Sequence, residues 1–240
     1  MSTLDYFLYV AFPYICLILF FGGHAYRYVT DRYAWNAHSS ELIEKDRLFA
    51  GAYLFHIGII GTTFGHAGGL LIPQALYDWA GISGRTHTEI SYWAGAVLGV
   101  MTFAGAVLLL ARRVFTRRIR LMTTVSDFAI LTGFVIVSGA GTYAVFFGHF
   151  YVLDTVAPWI RGILTFRPDP TLIAPVPFAY KLHIMLALAL LAYSPFTRLV
   201  HIWSIPIFYI GRAPLVFRRD WPGTAPLPYH ASEVENAPRT

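Results

Sequence analysis

The sequence predicts an all-α integral membrane protein, a bundle of five transmembrane helices, and three observations predict it. Of its 240 residues 56% are hydrophobic and 13% charged, where soluble domains carry about 25% charged residues. Five stretches approach or exceed the ~20 apolar residues that cross ~30 Å of hydrocarbon. Tyr6, Tyr26, Tyr28, Trp35, Tyr92, Trp93, Trp159 and Trp203 collect near the ends of those stretches, where amphipathic rings suit the headgroup layer.

The first stretch, residues 6–26, is preceded by Asp5 rather than a basic cluster, and no small-residue cleavage site follows it. It is expected to stay as a helix and not to be removed as a signal peptide. The second, third, fourth and fifth stretches cover residues 48–72, 90–111, 128–151 and 178–202. The five fall within one domain over residues 1–211, which leaves residues 212–240 as an extended tail punctuated by Pro214, Pro222, Pro226 and Pro228. Such a tail needs a partner surface to become ordered.

Charge sets the expected orientation. Arg27, Arg32, Lys45 and Arg47 follow the first stretch, Arg112, Arg113, Arg117, Arg118 and Arg120 the third, and Arg198, Arg212, Arg218, Arg219 and Arg239 close the chain. The opposite connections hold Arg85, Arg161, Arg167 and Lys181. By the positive-inside rule the N-terminus is outside and the C-terminus cytoplasmic. The formal net charge of +5 then reflects topology and attraction to lipid headgroups, with no nucleic-acid partner required.

The connections are read in turn. Residues 31–47 look like a short surface helix, and residues 112–124 form a basic loop after which Ser126 or Asp127 caps the fourth helix. Residues 73–89 carry Tyr77, Asp78, Trp79, Arg85 and His87. Residues 152–177 combine five prolines with Trp159, Ile160, Ile163, Leu164 and Phe166, a mixture expected to lie along the membrane interface. No internal repeat is visible, which weakens a transporter reading. The single cysteine, Cys16, excludes an internal disulfide and a self-contained iron–sulfur cluster, and the absence of C-x-x-C-H excludes covalent c-type haem.

Histidine placement carries the functional reading. His56 and His66 lie in the second stretch, His183 and His201 in the fifth. Antiparallel helices pair His66 with His183 and His56 with His201, so that each pair supplies two axial imidazoles to a non-covalent haem. The alternatives are hydrogen bonding across helices and a proton relay. Ten residues separate the first two along a helix, about 15 Å, whereas His183 to His201 would span about 27 Å. Straight parallel rods cannot satisfy both, and helix tilt, a slanted haem plane or a kink near Pro195 is expected to absorb the difference. Gly58, Gly61, Gly65, Gly68 and Gly69 in the second stretch clear a wall for a flat macrocycle or allow close helix packing. Gly95, Gly99, Gly105, Gly133, Gly139 and Gly141 are open to the same two readings. His24, His38, His149 and His230 are expected at interfaces or the surface, His87 with Arg85 is kept open because both lie on the side of the outer haem, and Arg112 and Arg113 are candidates for haem propionates. Trp203 and Tyr209 are placed beside His201.

The stretch LFHIGIIGTTFGH from Leu54 to His66, with KLH ending at His183 and RLVHIWSIP from Arg198 to Pro206, closely resembles the gamma subunit of membrane-bound respiratory nitrate reductase. The resemblance runs over residues 6–210. It implies a quinol-oxidising dihaem cytochrome b of the prokaryotic inner membrane, with His66 and His183 on a distal haem b and His56 and His201 on a proximal one. It also implies that menaquinol or ubiquinol is oxidised near the outer face with proton release there, and that electrons pass to an iron–sulfur beta subunit and a molybdenum-containing alpha subunit. The quinol site is expected at His66, Gly69, Arg85 and His87; where family members commonly carry a lysine, this chain has residues 84–89, GRTHTE, of which Arg85 is expected to pair with a propionate and His87 to hydrogen-bond quinol or accept its proton. A dihaem subunit of another reductase, acting on a sulfur compound or a heterodisulfide, and a haem-free proton-coupled transporter are the alternatives. The tail with Arg218, Arg219 and Trp221 is expected to dock the iron–sulfur subunit.

Overall fold

The computed structural model describes residues 1–30 and 46–202. The expected surface helix at residues 31–47 lies almost wholly outside the described residues; Trp203, Tyr209, the boundary at residue 211 and the tail lie outside them entirely. Five helices are long and apolar enough to cross a membrane. They are α1 (Thr3–Thr30), α2 (Asp46–His66, continued by a π-helical turn Ala67–Leu71), α4 (Gly84–Phe115), α6 (Val125–Phe147) and α8 (Phe178–Tyr193). Short helices α3 (Gln74–Trp79), α5 (Arg117–Leu121) and α7 (Val156–Leu164) occupy the connections.

Packing follows a simple order. α2 lies on α4, α4 on α6, α6 on α8 and α8 on α1, while α2 and α8 share no packed interface among the described residues. Missing side chains make the closest approach: a Cβ on Gly105 would collide with the Phe55 amide nitrogen, and one on Gly58 would stand 2.5 Å from that of Thr102. Such small-residue contacts replace the hydrophobic driving force that lipid cannot supply between helices.

Several boundaries differ from the sequence expectation. α4 begins at Gly84, six residues before its apolar run, because Ser83 accepts a hydrogen bond from the Thr86 amide and caps the helix. Arg85 and His87 therefore sit on the first turns of a helix and not in a loop. α6 is capped by Thr124, ahead of the residues expected: Thr124 accepts from the Asp127 amide, and Asp127 accepts from the Thr124 amide. This reciprocal capping box satisfies two end groups at once.

The α-helix of the fifth stretch stops at Tyr193 and gives way to 3₁₀ turns at Ser194–Phe196 and Arg198–Ile202. Pro195 cannot donate into the ladder; the Leu191 carbonyl instead accepts from the Ser194 hydroxyl at 2.7 Å, and the Pro195 carbonyl from Arg27 at 2.6 Å. This break resolves the unequal histidine spacings. Ten helical steps run from His183 to Tyr193, as many as from His56 to His66, and the irregular turns take up the rest.

Residues 152–177 are buried in part: Trp159 and Ile173 are each 1% exposed and cluster with Tyr9, Val156, Ile163 and Val176, whereas Leu164 and Phe166 are 51% and 81% exposed. The reason is backbone chemistry. Pro13 leaves the carbonyl of Tyr9, four residues earlier, without its helical donor, and a π-helical turn precedes it at Phe7–Ala11. Trp159 donates its indole N–H to that carbonyl at 3.0 Å. Tyr14 donates to the Ile163 carbonyl at 3.1 Å, and Arg161 donates to the Leu70 carbonyl at 3.0 Å. α7 thereby ties the start of α1 to the end of α2.

Replacing Gly105 by Ala should cost about 1–3 kcal/mol by forcing α2 from α4, whereas Gly22→Ala, whose Cβ meets nothing within 4 Å, should be neutral or mildly stabilising. Thermal unfolding in detergent, with equal midpoints for the two variants, would contradict this packing. Trp159→Phe should cost about 1–3 kcal/mol for the carbonyl left without a donor, read as a lowered midpoint in the same assay.

Candidate functional site

Four histidines, His56 and His66 of α2, His183 of α8 and His201 of the 3₁₀ turn that follows it, meet in two pairs across the gap between α2 and the α8 chain. The rings of His66 and His183 have centroids 5.9 Å apart with planes 23° apart. Those of His56 and His201 are 6.2 Å apart and inclined by 60°. The pairing expected from antiparallel topology is the one observed.

Each ring is held by its Nδ1. His56 reaches the Ala52 carbonyl at 2.8 Å, His66 that of Thr62 at 2.7 Å, His183 that of Val137 at 2.9 Å and His201 that of Arg198 at 2.7 Å. A carbonyl only accepts, so Nδ1 carries the proton and donates in all four. The Nε2 lone pairs are left free to ligate, the tautomer seen where a histidine binds a metal through one nitrogen and is oriented through the other.

The spacing also fits a shared metal. Two imidazoles with metal–nitrogen bonds of about 2 Å, each nitrogen about 1.1 Å from its ring centroid, separate the centroids by about 6.2 Å. No group of three or more His, Cys, Asp or Glu side chains suited to an ion occurs among the described residues. A two-imidazole set could hold a metal whose other donors are waters or belong to a group that brings its own, as a macrocycle does. Gly65, beside His66, has nothing within 4 Å of where a Cβ would stand. An open apolar recess of about 600 Å³ lies beside His56, lined by Tyr53, Ile57, Ile60, Gly61 and Leu98.

The other glycines sort between the two readings. Gly58, Gly61 and Gly105 serve the contact of α2 with α4, and Gly133 receives Leu190. Gly95, Gly99 and Gly139 face Val145, Thr142 and Phe103 across α4 and α6. Gly141 serves a different purpose. A Cβ there would stand 2.7 Å from Cε1 of His183, so its bare backbone seats the imidazole.

The family model described as nitrate reductase gamma subunit matches residues 5–220. The chain belongs to that family. It is 40% identical over 211 residues to the nitrate reductase gamma chain of Bacillus subtilis, covering 86% of this chain and 95% of that one. To the respiratory nitrate reductase 1 gamma chain of Escherichia coli it is 34% identical over 218 residues, 88% of this chain and 96% of the relative. It is also 34% identical over 212 residues to the nitrate reductase-like protein NarX of Mycobacterium tuberculosis, 86% of this chain but 32% of the longer protein. This member of the nitrate reductase gamma family is thus a multi-pass membrane protein and an oxidoreductase subunit.

Beside Gly69, three residues after His66, this gamma-family chain places a further histidine. His87 is buried, with its ring centroid 4.2 Å from that of Tyr77. Its Nε2 would lie 3.6 Å from a Cβ on Gly69, so Gly69 and His87 are brought together. Gln74 is the residue that sequence reading missed. Its Nε2 donates to Asp78 at 2.8 Å and to the Ile82 carbonyl at 3.1 Å, which turns its Oε1 toward Nδ1 of His87 at 2.8 Å. An Oε1 so oriented can only accept, so His87 presents a free Nε2 lone pair toward Gly69. Arg85 is directed elsewhere, into an exposed ion pair with Glu89 at 3.1 Å.

At the His56 and His201 end, Arg112 is buried and Arg113 nearly so. Arg113 donates to the Thr123 hydroxyl at 3.1 Å and stands 3.7 Å from Asp127. Asp127, 3% exposed, also pairs with Arg198 at 2.5 Å. The sequence marked Asp127 only as a cap. Its ionic partners come from two other segments, and no local pattern announces them.

Proposed function

We propose that this chain is the membrane-embedded dihaem subunit of a respiratory nitrate reductase, oxidising quinol beside His66 and delivering the electrons to an iron–sulfur partner at the His56 and His201 end. The observation that carries the reading is the pair of imidazole couples, 5.9 and 6.2 Å apart, with all four Nδ1 groups engaged. His66 and His183 would hold one haem b, His56 and His201 the other. When bound, these groups would supply reversible one-electron transfer.

The chain's own residues supply the rest. His87, its Nδ1 committed to Gln74, offers Nε2 as the acceptor for a quinol hydroxyl over the bare backbone of Gly69. Gly69 leaves room for the ring. Arg112 and Arg113 place positive charge at the opposite end, suited to propionates.

Sidedness follows from charge. Arg27, Arg112, Arg113, Arg117, Arg118, Arg120 and Arg198 gather at the His56 and His201 end, the cytoplasmic side under the positive-inside rule. Protons from quinol then leave outside while electrons move inward, which separates charge worth ~2.3 kcal/mol per elementary charge per 100 mV. The partners are an iron–sulfur subunit and a molybdenum-containing subunit on the cytoplasmic side, with residues 212–240 as the docking arm.

A reduced-minus-oxidised spectrum of the purified chain should show b-type absorption; its absence would refute the reading in favour of a haem-free membrane protein. His66→Ala or His183→Ala should each remove one haem, and His56→Ala or His201→Ala the other. Loss of the same haem in all four would overturn the pairing. Gly141→Ala, which crowds His183 alone, should perturb the haem that His66→Ala removes and leave its companion unchanged. Truncation after Arg212 should release the soluble subunits from membranes; retained attachment would refute the docking role.

A further inference from the structure

We propose that Asp127 is a positioning residue for His201, acting through Arg198. The inference rests on the two-haem reading above. His201 differs from the other three histidines in what carries it. His56 and His66 sit within α2 and His183 within α8, so the helical ladder fixes their backbones. His201 comes after the chain has left α-helical geometry, on a 3₁₀ turn of five residues. Such turns have poorer hydrogen-bond geometry and seldom persist unaided.

Contacts from other segments replace the missing ladder. One oxygen of Asp127 binds Arg198, and the other accepts the Thr124 amide at 3.0 Å and faces Arg113 at 3.7 Å. The capping box thereby fixes the carboxylate before it meets Arg198. The Arg198 carbonyl in turn receives Nδ1–H of His201 at 2.7 Å. One residue thus anchors the turn through its side chain and orients the imidazole through its backbone. Neighbouring bonds close the frame: Tyr193 donates to Ser126 at 3.1 Å, and the Thr197 hydroxyl bridges the Ser194 carbonyl and the Leu199 amide at 2.9 and 3.1 Å.

Asp127 is therefore more than a helix cap. A capping role asks only for a short polar side chain at this position, whereas the pairing with Arg198 requires the charge. Arg198→Gln leaves the cap intact and removes the tether; Asp127→Asn keeps the size and the acceptor oxygen while removing the charge. Asp127→Glu keeps the charge and is expected to restore part of the signal.

The test uses the full chain in membranes, with low-spin haem signals resolved by electron paramagnetic resonance and their midpoint potentials titrated. The wild-type chain should show two such signals; if it does not, the two-haem reading fails, and the positioning role with it. In Arg198→Gln and in Asp127→Asn, the signal that His201→Ala abolishes should be lost or shifted in potential, with total haem falling by up to about half. The signal that His183→Ala abolishes should persist at its wild-type potential, which also certifies the fold. Any other pattern in Arg198→Gln, whether both signals unchanged or both lost, overturns the proposal while leaving the wild-type two-haem reading intact.

Discussion

The gap between α2 and α8 governs the rest of this structure. Two helices that must face each other through paired imidazoles cannot also touch, so their separation has to be fixed by something else. α4 and α6 fix it, packed in the order α2, α4, α6, α8. The nearly bare backbones at Gly58 and Gly105 lock α2 to α4, and Gly133 receives Leu190 where α6 meets α8. In lipid, where apolar burial gives no preference for one helix over another, this close fit is the available source of rigidity.

Hydrocarbon imposes a second demand, that every backbone group find a partner inside the protein. Two prolines in spanning segments test it. At Pro13 the orphaned Tyr9 carbonyl is met by Trp159; at Pro195 the helix ends and Ser194 and Arg27 cover the exposed carbonyls. In both places a helix irregularity is answered by a side chain of defined reach. The second irregularity also has a use, since it lets a histidine eighteen positions after His183 stand opposite His56.

Much of this is legible in the sequence, and the boundary of legibility has a physical meaning. Five spans and their order follow from local hydropathy, and the histidine couples follow from antiparallel alternation alone. The helix starts at Gly84 and Val125 escape such a reading, because caps depend on single polar residues lying outside the apolar run. The burial of Trp159, the turn of Gln74 toward His87 and the reach of Arg198 to Asp127 are invisible to it. Each joins segments that only the assembled bundle brings together, and no periodicity encodes them. Gly141 is visible as a small residue but not as the seat of His183, since a missing side chain has the same appearance whatever fills the space.

The bond between Trp159 and Tyr9 also bears on how the chain is made. Its ends lie 150 residues apart, which at about 5–20 residues per second corresponds to a delay on the order of 10 s during synthesis. For that interval the first helix sits in the bilayer with an unanswered carbonyl beside Pro13. Some other donor has to serve in the meantime, so α1 is completed only once α7 has been made.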